Sequence, residues 1–305
     1  MTPLLSIVVV AFDMARELPR TIRSLLPPYQ TGLDATDLQI IIADNGSTHP
    51  VRREDFPPDA DITVIRVEDG GVSPCRAVNR AAALATADHI AVMVDGARMA
   101  SPGLLATTLQ AARIDPRAFV ATLGLHLGPK VQQISTAEGY DRDVEDRLLQ
   151  AIAWPADGHR LFEISALGES YAGGAAVAPP ETTFFVMDRR RFVDIGGFDE
   201  RFVSLGGGLA NFDLLDRALA DPGAPLIMLV GEATFHQLHF GATTQEGGVR
   251  RPVTPEGRSL GEVYAEEFHA IRGRPWVRSD RRPLLFGAVT HPRLPALFFP
   301  DAPLR

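Results

Sequence analysis

Two aspartates in this chain follow apolar runs and lead into small polar turns, Asp44-Asn45-Gly46-Ser47 and Val94-Asp95-Gly96-Ala97. A third apolar run, Ser6-Ile7-Val8-Val9-Val10-Ala11-Phe12-Asp13, ends in the same manner. Open α/β sheets bind ligands at the carboxyl ends of their strands, so three strand ends carrying carboxylates or small residues point to a nucleotide site. The Asp95 turn is incomplete for cation chemistry, because the residue two further on is Ala97 and not a second acid. Each aspartate also has a plainer reading: Asp44 as a turn former, Asp95 as a helix cap or solvated strand end.

These residues need a sheet to bring them together. Residues 4–11 form a β-branched apolar run, as expected of a strand covered on both faces. Asp13 reads as a helix N-cap, followed by Leu18, Ile22, Leu25 and Leu26 at helical spacing until Pro27-Pro28. Residues 38–43 form a second strand, and Asp44-Asn45-Gly46 suits left-handed turn geometry. Residues 62–67 and 90–94 are further strands. Ser73-Pro74 and Ser101-Pro102 open helices with proline at the first helical position. Alternation of strand and helix over residues 1–125 argues for a mostly parallel sheet with covering helices. Right-handed crossovers then place Asp44, Asp95 and the loop around Phe12 in one crevice. Later, residues 142–152 are helical, 168–180 an exposed loop, 182–187 and 226–230 strands, and 260–271 a helix. Gly206-Gly207-Gly208 lacks the Lys-Ser/Thr of a phosphate-binding loop.

The 305 residues suffice for one large α/β domain or two small ones. A net charge of -8 argues against nucleic acid as a partner. Basic residues gather late, at Arg250-Arg251 and from 272 to 282. They leave open a phosphate-facing or membrane-facing patch, against the commoner reading of a solvated charged face. The single cysteine, Cys75, rules out an intrachain disulfide and fits a reducing compartment. Its place at a helix start favours a lowered thiol pKa, yet no motif sets a base beside it, and a structural role is expected. No targeting signature and no apolar run of about 20 residues is evident, so a cytoplasmic location is expected.

The order of motifs resembles a known family. An apolar strand runs into Ala11-Phe12. Then come Asp44-Asn45-Gly46-Ser47-Thr48, Ala77-Val78-Asn79-Arg80-Ala81-Ala82, Val94-Asp95-Gly96-Ala97, Ile195-Gly196-Gly197-Phe198-Asp199-Glu200 and Asp213-Leu214-Leu215-Asp216-Arg217. Over about residues 4 to 240 the chain is similar to the family-two glycosyltransferases, inverting enzymes with the GT-A nucleotide-diphospho-sugar fold. The resemblance implies an α/β fold with a mostly parallel sheet flanked by helices. It divides the chain into a domain at 1–245, with a nucleotide-binding half (1–125) and an acceptor-facing half (126–245), and a C-terminal arm at 246–305. It implies a nucleotide-sugar held by Ala11, Phe12, Asp13, Asp44, Asn45, Asn79, Asp95, Gly96 and Arg98. Asp44 would meet the base, and Asp95 the ribose, the diphosphate and a divalent cation (Mn or Mg), with His236 or His239 completing the metal shell. Arg98 offers a fixed positive charge in place of part of the metal. The expected donor is a UDP-sugar and the expected acceptor a saccharide or lipid-linked sugar. Peripheral membrane association and a homo-oligomer stay open.

Two departures stand out. Asp95-Gly96-Ala97 lacks the usual second aspartate, and the acidic pair that precedes the helix in the family is here Ala210-Asn211. Asparagine cannot take a proton at neutral pH, which leaves Asp199, Glu200 and Asp213 as carboxylates for the acceptor. The alternative is a non-catalytic nucleotide-sugar-binding relative, or a partner subunit in polysaccharide assembly. A sugar-phosphate nucleotidyltransferase is a weaker reading, since Ala11-Phe12-Asp13-Met14 is neither glycine-rich nor basic.

Overall fold

All seven residues of the first strand, β1 (Leu5–Ala11), are buried, because both faces of the sheet are covered. The computed structural model describes residues 2–239, 241, 247–290 and 292–300. After β1 come α1 (Leu18–Ser24), β2 (Leu38–Asp44), β3 (Ile62–Arg66), α2 (Cys75–Ala82), β4 (His89–Met93), β5 (Arg98–Ala100) and α3 (Leu104–Ala112). The middle contains β6 (Phe119–Leu127), α4 (Gln132–Ser135), α5 (Arg142–Ala151), β7 (Ser165–Leu167), β8 (Phe184–Asp188), α6 (Arg189–Asp194) and α7 (Ala210–Ala218). The chain continues with β9 (Leu226–His236), α8 (Leu260–Arg272), β10 (Leu284–Gly287) and α9 (Leu294–Phe298).

One mixed sheet runs in the order β10-β9-β6-β8-β4-β1-β2-β3, with β5 paired to β9 and β7 to β6. Strand β8 is antiparallel to both β4 and β6, while the pairs on either side of it are parallel. Alternate residues of β1 feed two cores: Val8 and Val10 face the side of α2, α7 and Phe298, while Ile7 and Val9 face the side of α1 and α3. The register Ala11↔Asp44 and Val9↔Met93 brings the ends of β1, β2 and β4 to one edge.

Several sequence expectations change. Asp13 does not cap α1: it has φ +52, and Glu17 is the N-cap residue. Its carboxylate instead accepts from Thr48 N and Oγ1, and its own N–H donates to Ser47 Oγ, which ties the β1 loop to the β2 loop. Pro74 sits at the N-cap of α2 and not at its first helical position. Cys75 is buried, and burial pushes its thiol up to about 12, the opposite of an activated cysteine. The 168–180 segment is not simply exposed, because Tyr171, Ala175 and Ala178 are buried and Gly168 N donates to Gly124 O. The strand expected at 226–230 runs on to His236, with Gly231 at φ +94. There a Cβ would lie 2.0 Å from Ala288 O.

The last part of the chain completes this body. Strand β10 extends the sheet beside β9, and Phe268 and Phe298 are fully buried. The late basic stretch is largely spent on intrachain contacts. Arg272 pairs with Asp199 and Asp213, Arg274 with Asp216, Arg278 donates to Ala178 O, and Arg281 donates to Leu219 O and Ala224 O. Among the described residues, no helix is long and apolar enough to cross a membrane.

Asp213 is the buried centre of this clasp, bound by Arg217 from α7 and Arg272 from α8. Removing one partner of a buried ion pair strands the other charges. Asp213→Ala is therefore expected to lower unfolding stability by about 3 kcal/mol in urea denaturation. A loss below about 1 kcal/mol would be the signature of an exposed pair instead.

Candidate functional site

Asp95 follows β4 at the sheet edge, and its carboxylate meets two imidazoles. Oδ2 lies 2.9 Å from His236 Nε2 and 3.1 Å from His239 Nε2, and the two nitrogens are 3.0 Å apart. Oδ1 accepts from Ala97 N, which fixes the turn. Two atoms each about 2.1 Å from one cation, at right angles, are about 3.0 Å apart. The three donor atoms therefore have the spacing that one divalent cation would require of three ligands.

The surrounding residues set this geometry. The β5–β9–β6 pairing puts Arg98, His236 and His126 side by side. The Gln132 side-chain N–H donates to the His236 carbonyl, so its Oε1 faces His236 Nδ1 at 2.7 Å and accepts a hydrogen bond from that N–H. A neutral His236 then presents only a lone pair at Nε2, and its approach to Asp95 sets two acceptors face to face. A cation between them satisfies both. Gln132 N–H in turn donates to His126 Nδ1. Residues 237 and 238 are pinned too: Gln237 N–H donates to Ala97 O, the Gln237 side chain to Glu17 O, and Leu238 N–H to Glu145 Oε2 at 2.7 Å. Glu145 is buried and held by Arg16.

Electrostatics follow from burial and these contacts. Burial lowers His236 to about 4, and Arg98 adds to the effect against Asp95. Burial acts to raise Asp95, but His239 and His236 outweigh it and keep the carboxyl well below its usual value. Burial acts to lower His239, and Asp95 overrides it to leave a net rise. Nε and Nη1 of Arg98 are buried and have no hydrogen-bond partner among the described residues, so the site holds a guanidinium free to meet an anion.

The other expected residues fall in two groups. At the shared edge with Asp95 are Ala11, Phe12, Asp13, Asp44, Asn45 and Gly96. Phe12 is 52% exposed, an uncovered ring at a strand end. Gly96 passes beneath β1, where a Cβ would lie 2.7 Å from Val10 O. Asp44 is fully buried and accepts from Ser47 N, Val51 N and Arg66 Nη1. Asn45 donates to Gly71 O and Ser73 O. The second group sits around α2 and α8. Asn79 exchanges hydrogen bonds with Phe198 and donates to Glu200. Asp199 is bound by Arg201 and Arg272, and Glu200 by Arg76. Arg201 first, with Arg272, holds Asp199 well below the usual carboxylate range. Asp199, Glu200 and Asp213 thus all carry arginine partners. Arg66, Gln132 and Glu145 were not foreseen; each is separated by 22 or more positions from the residue it supports. A cavity of about 590 Å³, lined by Gly128, Ser135, Tyr140, Val144, Glu163 and Arg293 among others, opens elsewhere, and none of the expected residues lines it.

Asp44 supports a pH prediction. Burial pushes its pKa up, yet the Ser47, Val51 and Arg66 hydrogen bonds win and hold it below 3.8. Its stabilisation is complete above that value and lost as pH falls through the lower folded-state value. Asp44→Asn is expected to lower the melting temperature at pH 7, with a gap from wild type that narrows on acidification below pH 4 in calorimetry.

Comparison with known proteins matches this edge. Residues 6–130 match the family described as Glycosyl transferase family 2. No curated protein sequence matches the chain. Among solved structures, S. aureus TarS is similar at 14% identity and a TM-score of 0.51, over 78% of this chain and 37% of TarS. TarS 1–349 in complex with UDP gives the same identity and TM-score, over 78% of this chain and 61% of that one. This chain thus spans less than two thirds of either structure's length. At such identity the likeness speaks for the fold, a GT-A fold in which residues 6–130 match the glycosyltransferase family 2 model.

Proposed function

We propose that the protein transfers a sugar from a nucleoside-diphospho-sugar, with a uridine donor the first choice, to a saccharide or lipid-linked hydroxyl with inversion. The observation that carries the reading is the Asp95–His236–His239 triad beside Arg98, whose Nε and Nη1 have no partner among the described residues. Asp95, His236 and His239 would hold a divalent cation, which neutralises charge on the departing diphosphate. Histidine nitrogen suits Mn²⁺ better than Mg²⁺. Arg98 would add a fixed positive charge where the leaving group develops negative charge. Phe12 and the Asp13–Ser47–Thr48 contacts would shape the nucleoside side, with Asp44 ordering that turn through Ser47 and Arg66. Residues 1–245 form the transferase body in this reading, and the later segment braces it.

A second reading is a nucleotide-sugar-binding subunit without turnover. It draws on the arginine partners of Asp199, Glu200 and Asp213, which tie up the acceptor-side carboxylates named from sequence. The two readings differ in whether bound donor is consumed.

A thermal-shift panel of nucleotides with and without Mn²⁺ tests the donor site. Ligand at 100 times its Kd stabilises the native state by about 2.7 kcal/mol. UDP with Mn²⁺ is expected to raise the melting temperature by several degrees. Asp95→Ala is expected to abolish the metal-dependent part. No rise with any nucleotide would overturn the reading.

A further inference from the structure

Asp199, Glu200 and Asp213 are tied to arginines, whereas one carboxylate near the same sheet edge is not. It lies at the start of β8. Thr183 O accepts from Val94 N, the residue before Asp95, so the segment entering β8 runs alongside the Asp95 turn. Two positions earlier is Glu181. Its carbonyl accepts from Tyr171 OH, and its Oε1 accepts from Ser170 Oγ at 2.6 Å. It is partly exposed and has no ion-pair partner among the described residues. Tyr171 ties it to the strand that carries His236: its hydroxyl also meets Thr183 Oγ1, which lies 3.1 Å from Thr234 Oγ1 on β9. Glu181 and Thr183 are therefore held by one buried tyrosine beside the Asp95 turn.

We propose that Glu181 is the base for the acceptor hydroxyl, taking the place of the acidic pair that is Ala210-Asn211 here. The proposal rests on the transferase reading above. In the step, the acceptor O–H proton passes to the Glu181 carboxylate and the acceptor oxygen forms a bond to the anomeric carbon. The bond from that carbon to the diphosphate oxygen breaks on the opposite face. The nucleoside diphosphate leaves with the electron pair, beside Arg98, and the anomeric configuration inverts. Ser170 keeps Oε1 in place and leaves Oε2 for the acceptor. Because the segment belongs to the sheet edge through the Thr183–Val94 bond, the base is positioned by the same strand that presents Asp95.

The test measures UDP release from UDP-glucose, UDP-galactose and UDP-N-acetylglucosamine, with water or free monosaccharides as acceptors, and UDP affinity by calorimetry. Glu181→Gln is expected to lower kcat by about 10²- to 10⁴-fold, with UDP affinity within about twofold of wild type. Added formate is expected to restore part of the rate to Glu181→Ala, which a merely structural role would not allow. Glu181→Gln with kcat within about threefold of wild type overturns the proposal and leaves the transferase reading standing. So does a parallel loss of UDP affinity and rate. A wild-type protein that binds UDP but consumes no donor overturns the base assignment in favour of a binding subunit. A wild-type protein that binds no UDP overturns the transferase reading itself.

Discussion

The structure turns on one short-range constraint: a carboxylate and two imidazole nitrogens held within 3.1 Å of one another at the edge of a sheet. Groups so close need a shared charge between them or a hydrogen-bond frame that does not yield. The frame is unusually broad. Strand β9 carries His236, and β5 and β6 flank it in register. Gln132 from α4 fixes the ring, while Glu145 from α5 and the carbonyl of Glu17 hold the segment that leads to His239. Elements from residue 17 to residue 239 thus converge to place three ligand atoms.

A second theme is the use of arginine to retire acidic groups. Asp44 has Arg66, Asp199 has Arg201 and Arg272, and Asp213 has Arg217 and Arg272. Arg66 and Arg272 reach their partners from distant segments, while Arg201 and Arg217 pair locally. In the buried pairs the carboxylate's desolvation is offset by bidentate or multiple contacts, so the acid orders structure and is not available for proton transfer. Asp95 differs. Its partners are imidazoles, which can pass from proton donors to metal ligands, and the nearby guanidinium of Arg98 is left uncommitted.

Much of the sheet edge that carries Asp44 and Asp95 is legible in the sequence. Residues 5–11 and 38–44 are continuous apolar runs because helices cover both faces, and the small polar turns that follow mark where the strands surface. Asp95 could be named from its place at a strand end, whereas His236 and His239 were named through the family resemblance. The support around them could not be read. Gln132 and His236 are 104 positions apart, and nothing in local pattern joins them. The full length of β9 is hidden by Gly231, which breaks the apolar run yet is required where Ala288 O comes close. A register shift between Ala121 and Leu123 similarly disguises the β6–β9 pairing. Asp13 misleads in the opposite direction: its type suits a helix cap, but Ser47 and Thr48 compete for it successfully. The late arginines look like a solvated or anion-facing patch because sequence does not reveal the carbonyls and carboxylates they clasp.

The central claim is that Asp95, His236 and His239 form a cation site for a nucleoside diphosphate. Crystals grown with UDP and Mn²⁺, measured for anomalous scattering at the manganese edge, test it most directly. The account predicts one peak at about 2.2 Å from Asp95 Oδ2 and both histidine Nε2 atoms, bridged to diphosphate oxygens, with Arg98 on the phosphate. UDP bound at this edge with no manganese among the three residues, or manganese bound elsewhere, would contradict it.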